Sequence, residues 1–114
     1  MFKKLLGIVG EINPHDDATI ERLVLKATEE LGELAEAINW KNNYKNTEKS
    51  SEDIDNAITE EAIDVIICMV AILEKNGATP EHCKDYFKKK TKKWKKNLQK
   101  RKNNTTFDEN IIRN

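Results

Sequence analysis

The chain has 114 residues, with 20 basic and 20 acidic side chains and a formal net charge of zero, a length that suits one domain. Aromatic residues at 6%, four glycines and two prolines exclude a β-sandwich or barrel, which needs aromatic strands and frequent turn residues. No apolar run reaches the roughly 18 residues of a membrane span, and Cys68 and Cys83 make neither a disulfide framework nor a zinc pattern.

Neutrality conceals a division. Residues 1–83 carry 8 basic and 17 acidic side chains, whereas residues 84–114 carry 12 basic and 3 acidic ones. At the start, Lys3 and Lys4 precede the apolar run Leu5 to Val9, and Glu11 interrupts it before a secretory leader could form. A cytoplasmic protein with reduced thiols is expected. Residues 2–12 read as a short helix or a lead-in.

The first long helix is expected to start near Asp17 or Thr19, after Pro14, and to run to about Trp40. Leu23, Ala27, Leu31, Leu34 and Ile38 recur at the three- and four-residue spacing of one helical face. The polar stretch 41–50 reads as a loop. Ser50, with Asp53 three residues on, imitates a capping box and opens a second helix that runs to about Asn76, where Gly77 supplies a left-handed stop. Thr79 and Pro80 open a third helix as N-cap and first helical residue. Its apolar stripe is Cys83, Phe87, Thr91, Trp94 and Leu98, and it is expected to end near Lys102, leaving residues 103–114 as a tail. The fold expected is all-α: a bundle of three main helices plus a short N-terminal segment. The second helix is apolar almost all round from Ala62 to Leu73, so it must be covered on more than one side. That points to completion by homo-oligomerisation, as a dimer or a tetramer.

Asp64 is the one charged residue in that run. An ionised carboxylate in apolar surroundings is costly unless it is paired or bound to a metal; the ordinary alternatives are an Asp that reaches water or one that meets a buried Lys or Arg. Glu60 and Glu61 lie one turn earlier and flank the line of Asp64, and the helical wheel does not choose between them. On the first helix, Glu30 falls about 40° off the centre of the apolar face and Glu33 about 100° off it. Glu29 and Glu36 point further out. Gly32 suggests close approach of a partner helix or ligand, with a plain tolerated glycine as the equal alternative. If the two helices pack face to face, Glu30, Glu33, Glu61 and Asp64 meet. Four carboxylates cannot share a half-buried site, all ionised, without a cation. An all-oxygen, histidine-free set suits Mg²⁺, with Mn²⁺ or Ca²⁺ as alternatives. The ordinary reading of the same residues is a solvated acidic helix.

The segment Glu29 to Trp40 (EELGELAEAINW), followed by Glu60 to Val65 (EEAIDV), resembles the MazG-like nucleoside triphosphate pyrophosphohydrolases of the all-α NTP pyrophosphatase superfamily, and is closest in motif to their dCTP-pyrophosphatase-like members. The resemblance covers roughly residues 23–101. It implies cleavage of a nucleoside triphosphate to the monophosphate and pyrophosphate, with nucleotide-pool house-cleaning as the role. It also implies Glu30, Glu33, Glu61 and Asp64 as Mg²⁺ ligands, and it favours Glu61 over Glu60. Glu29 or Glu33 would act as base through water. Lys93, Asn97 and Arg101 resemble the substrate-binding pattern of the family's third helix. Trp40 would pack on the nucleobase, a role set against that of a helix-end core residue. Lys26 would hold phosphate, although an i,i+4 ion pair with Glu30 is the more ordinary expectation. No motif names the base.

Two other readings remain at this point. A helical interaction protein would carry the carboxylates as decoration. A nucleic-acid-binding module would use Lys84, Lys88, Lys89, Lys92, Lys95 and Lys96, but no base-reading motif or net positive charge supports it.

Overall fold

The computed structural model describes residues 1–42 and 47–113, with side chains described as far as residue 104. The described residues form four α-helices and no strand: α1 (Phe2–Ile12), α2 (Ile20–Lys41), α3 (Ser51–Lys75) and α4 (Pro80–Arg113), with a 3-10 turn at Asn13–His15. The all-α expectation holds. The chain divides into two units, Met1–Ala78 and Thr79–Asn114.

Each long helix starts where its capping residue predicts. Thr19 Oγ1 accepts from the Arg22 amide at 3.2 Å, Ser50 Oγ from that of Asp53 at 3.1 Å, and Thr79 Oγ1 from that of His82 at 3.2 Å. Each bond satisfies one of the orphan donors of a helical first turn. At the end of α3, Gly77 takes φ +75°. Its amide bonds the Glu74 carbonyl, and the Ala78 amide bonds that of Leu73. This is the paired closure of a Schellman motif, which favours glycine at its left-handed position.

In the first unit α2 and α3 form an antiparallel hairpin. Lys41, at the end of α2, pairs with Asp55, near the start of α3, at 2.7 Å. At the opposite end Asn13 is buried, and its Nδ2 donates to the Ala71 carbonyl at 3.2 Å and to the Glu74 carboxylate. That amide fixes the 3-10 turn to α3. Residues 2–12 are a helix, and α1 packs along α3.

The core of this unit is thin. Leu6, Leu23, Ala27, Ala37, Ile54, Cys68, Val70 and Ala71 are buried. Ala37 is 1% exposed, whereas Leu31 and Ile38, expected in the apolar face, are 50% and 38% exposed. The buried line of α2 thus runs through Leu23, Ala27, Leu34 and Ala37, with Glu30 at its centre, and Leu31 and Ile38 flank it. Alanines replace larger residues because a small side chain lets two helices approach closely. No described part of the chain approaches Gly32: a Cβ there would meet nothing within 4 Å. On the wheel Gly32 lies opposite the buried line.

The face of α3 turned away from α2 leaves Ile63, Ile66 and Ile67 about half exposed. In the second unit α4 passes the expected end near Lys102 and continues to Arg113, because no glycine or proline follows Pro80 to stop it.

Gly77→Ala tests the α3 stop. The added methyl meets no neighbouring atom, so only the left-handed backbone opposes it. The expected loss is about 1 kcal/mol, read by urea denaturation.

Candidate metal centre

Glu30 stands at the centre of the buried line of α2, and Glu61 occupies the equivalent place on α3, in line with Ile54, Val65 and Cys68. Antiparallel pairing sets the two carboxylates against each other. Glu33 joins them from one turn further along α2. One carboxylate oxygen from each of Glu30, Glu33 and Glu61 lies within 4.8 Å of the other two. Glu30 and Glu61 are half-buried and Glu33 is exposed. The Oε2 atoms of Glu30 and Glu61 are both buried and accept no hydrogen bond from a donor group of the protein among the described residues.

Two facing carboxylates have no proton to donate to one another. A shared proton supplies one, and the Glu61 carboxyl is accordingly pushed up from 4.5 to about 7. Its hydrogen bond with Glu30 is the largest cause, followed by burial and then by the hydrogen bond and the negative charge of Glu33. A cation is the other way to satisfy the same oxygens. The oxygen-only donor set, with two buried and unsatisfied acceptors, fits a hard divalent ion such as Mg²⁺.

Glu61 belongs to this group, whereas Glu60 is exposed and outside it. Asp64 also stands outside the group of three oxygens. It lies one turn on, half-buried, and lines the adjoining cleft with Glu29 and Glu30.

This cleft has a volume of about 790 Å³ and opens between α1, the 3-10 turn and the α2–α3 hairpin. Its α3 wall includes the small residues Cys68 and Ala71. The Cys68 thiol is shifted up by burial, opposed by the charge of Lys26 and reinforced by those of Glu30 and Asp64. Lys26 also lines the cleft, and no ion pair joins it to Glu30 among the described residues. Arg22, Asp16 and Asp17 also line the cleft, and the sequence reading missed all three. A signal for Arg22 was present: positions 22, 26, 29 and 33 form one strip along a helix.

Trp40 lies beyond the cluster at the other end of α2. It is half-buried, and the Lys49 ammonium stands 5.0 Å from its ring centroid, a cation–π geometry. It does not line the cleft. Lys93, Asn97 and Arg101 are exposed on α4, in the second unit. No family model, curated protein or solved structure matches the chain.

The raised Glu61 carboxyl gives a signed prediction. Between pH 4.5 and about 7 the metal-free folded state binds more protons than the unfolded state, so stability falls as pH rises through this window. Thermal unfolding in chelator should show wild type losing stability relative to Glu61→Gln from pH 4.5 towards pH 7. A constant difference between the two proteins across that range would contradict the shared-proton account.

Proposed function

We propose that the chain is a Mg²⁺-dependent nucleoside triphosphate pyrophosphohydrolase of the MazG-like kind, cleaving its substrate to a nucleoside monophosphate and pyrophosphate. The observation that supports this reading most is the facing pair Glu30 and Glu61, whose buried oxygens lack donors, beside a cleft whose volume is in the range of small-molecule sites. Mn²⁺ would serve the same oxygen set.

Glu30, Glu33 and Glu61 would hold the cation, with Asp64 joining from the cleft side. When bound, Mg²⁺ supplies charge stabilisation on phosphate oxygens and lowers the pKa of a coordinated water. Hydrolysis forms a bond from the water oxygen to the α-phosphorus and breaks the bond from that phosphorus to the bridging oxygen, with pyrophosphate leaving. The water must lose a proton. Glu29 is the better base of the two candidates: it lines the cleft outside the oxygen cluster, whereas Glu33 belongs to the cluster. Lys26 would hold phosphate. Lys93, Asn97 and Arg101 are the substrate contacts proposed from α4, and Trp40 the proposed surface for the nucleobase.

The exposed apolar residues support a homo-oligomer, dimer or tetramer. Ile63 and Ile66 on α3 and Val24, Leu31 and Ile38 on α2 form stripes of a kind that marks association surfaces. Both cysteines are free, which suits a reducing setting such as the cytoplasm. Among the described residues no helix is long and apolar enough to cross a membrane.

A second reading rests on α4. Its unit carries 12 basic and 4 acidic side chains, and Trp94 is 65% exposed among lysines. Non-specific nucleic-acid binding would then fall steeply with salt.

Screening nucleoside triphosphates for pyrophosphate release with Mg²⁺ tests the main reading. Glu61→Ala and Asp64→Ala should each lower turnover at least a hundredfold, on the order of losing one preorganised electrostatic group, while the variants stay folded by circular dichroism. Unfolded variants, together with a wild type that shows no Mg²⁺-dependent thermal shift, would leave the carboxylates a structural role only.

A further inference from the structure

The strip along α2 that borders the core face has two kinds of charge in order. Glu33 and Glu29 come at one end, then Lys26, then Arg22. One turn of helix separates Lys26 from Arg22, about 6 Å of rise. Both cations line the cleft that begins at Glu30 and Asp64, and neither is held in an ion pair among the described residues. The α3 wall of this cleft is Asp64, Ile67, Cys68 and Ala71; Cys68 and Ala71 are small and uncharged and leave room for a ligand. Two long cations that form no ion pair among the described residues, stepped away from a candidate cation site, make a track for a chain of phosphates that arrives with its metal.

We infer that Arg22, with Lys26, binds the departing pyrophosphate. On this view the triphosphate tail runs along α2 towards its N-terminus, and the nucleoside leaves the metal centre in the other direction. This rests on the pyrophosphohydrolase reading and adds a residue and a polarity to it. Lys26, one turn from Glu30, meets the nearer phosphate. Arg22, a turn further, meets the terminal one through its guanidinium fork, which suits phosphate better than an ammonium does. Asp16 and Asp17 at the rim oppose an anion that enters without its metal, so pyrophosphate should bind only with Mg²⁺.

The test is calorimetric titration of the full chain with inorganic pyrophosphate and Mg²⁺, and separately with a nucleoside monophosphate and Mg²⁺. Arg22→Gln and Lys26→Gln should each weaken pyrophosphate binding about tenfold or more, the loss of one charge-assisted hydrogen bond, and should leave the monophosphate unaffected. Lys3→Gln, the same charge change on α1, should alter neither. Wild-type pyrophosphate affinity in Arg22→Gln overturns the inference, as does a selective loss of monophosphate binding, which would place the nucleoside in this cleft. Those results leave the pyrophosphohydrolase reading standing if wild type still turns over. A wild type that neither binds Mg²⁺ and pyrophosphate nor hydrolyses any triphosphate overturns both.

Discussion

Two glutamates face each other across the α2–α3 hairpin, and the rest of the first unit is arranged around that conflict. Packing makes them meet: Glu30 and Glu61 each lie on the line by which their helix buries itself. The hydrogen bond between them, followed by burial, raises the proton affinity of one carboxylate, and the Glu61 carboxyl is pushed up to about 7. In the metal-free chain the hairpin keeps its charge conflict tolerable by sharing a proton near neutrality. A divalent cation would relieve it more fully. This is the physical link between the packing of a thin core and the proposed chemistry.

The hairpin is well built to hold that conflict in place. Ser50 and Thr19 fix the starts of the two helices, and the Lys41–Asp55 pair closes one end. Asn13 ties the 3-10 turn to α3 at the other end. The exposed Lys41–Asp55 pair contributes little energy by itself, but with the caps it sets the register. A slip of one residue would rotate Glu61 about 100° away from Glu30. The register also sets Arg22 and Lys26 across from the small residues Cys68 and Ala71, so one alignment creates the carboxylate centre and the cleft beside it.

Much of this was legible in the sequence where the signal is local. Thr19, Ser50 and Thr79 marked helix starts and Gly77 a stop, because capping chemistry depends on a few adjacent residues. Glu30 could be placed near the apolar face from spacing alone. The phase of α3 could not: with apolar residues almost all round, the wheel has no preferred side, so it left Glu60 and Glu61 equivalent and only the family resemblance favoured Glu61. The α2 face was drawn towards Leu31 and Ile38 because they are large, whereas the helices meet over Ala27 and Ala37. The Lys49–Trp40 stacking depends on tertiary geometry, which periodicity does not encode. The length of α4 was underread because polar asparagines and threonines suggest a tail, although nothing in them ends a helix.

The central proposal is that the Glu30–Glu61 pair would exchange the proton held at Glu61 for a divalent cation. Calorimetric titration of Mg²⁺ into the wild-type chain, at a pH just below 7 and in buffers of different ionisation enthalpy, measures that exchange directly, since metal binding to protonated ligands releases protons. The account predicts saturable binding with proton release that is lost in Glu61→Gln. Absence of Mg²⁺ binding, or binding without proton release and unchanged in Glu61→Gln, would contradict it.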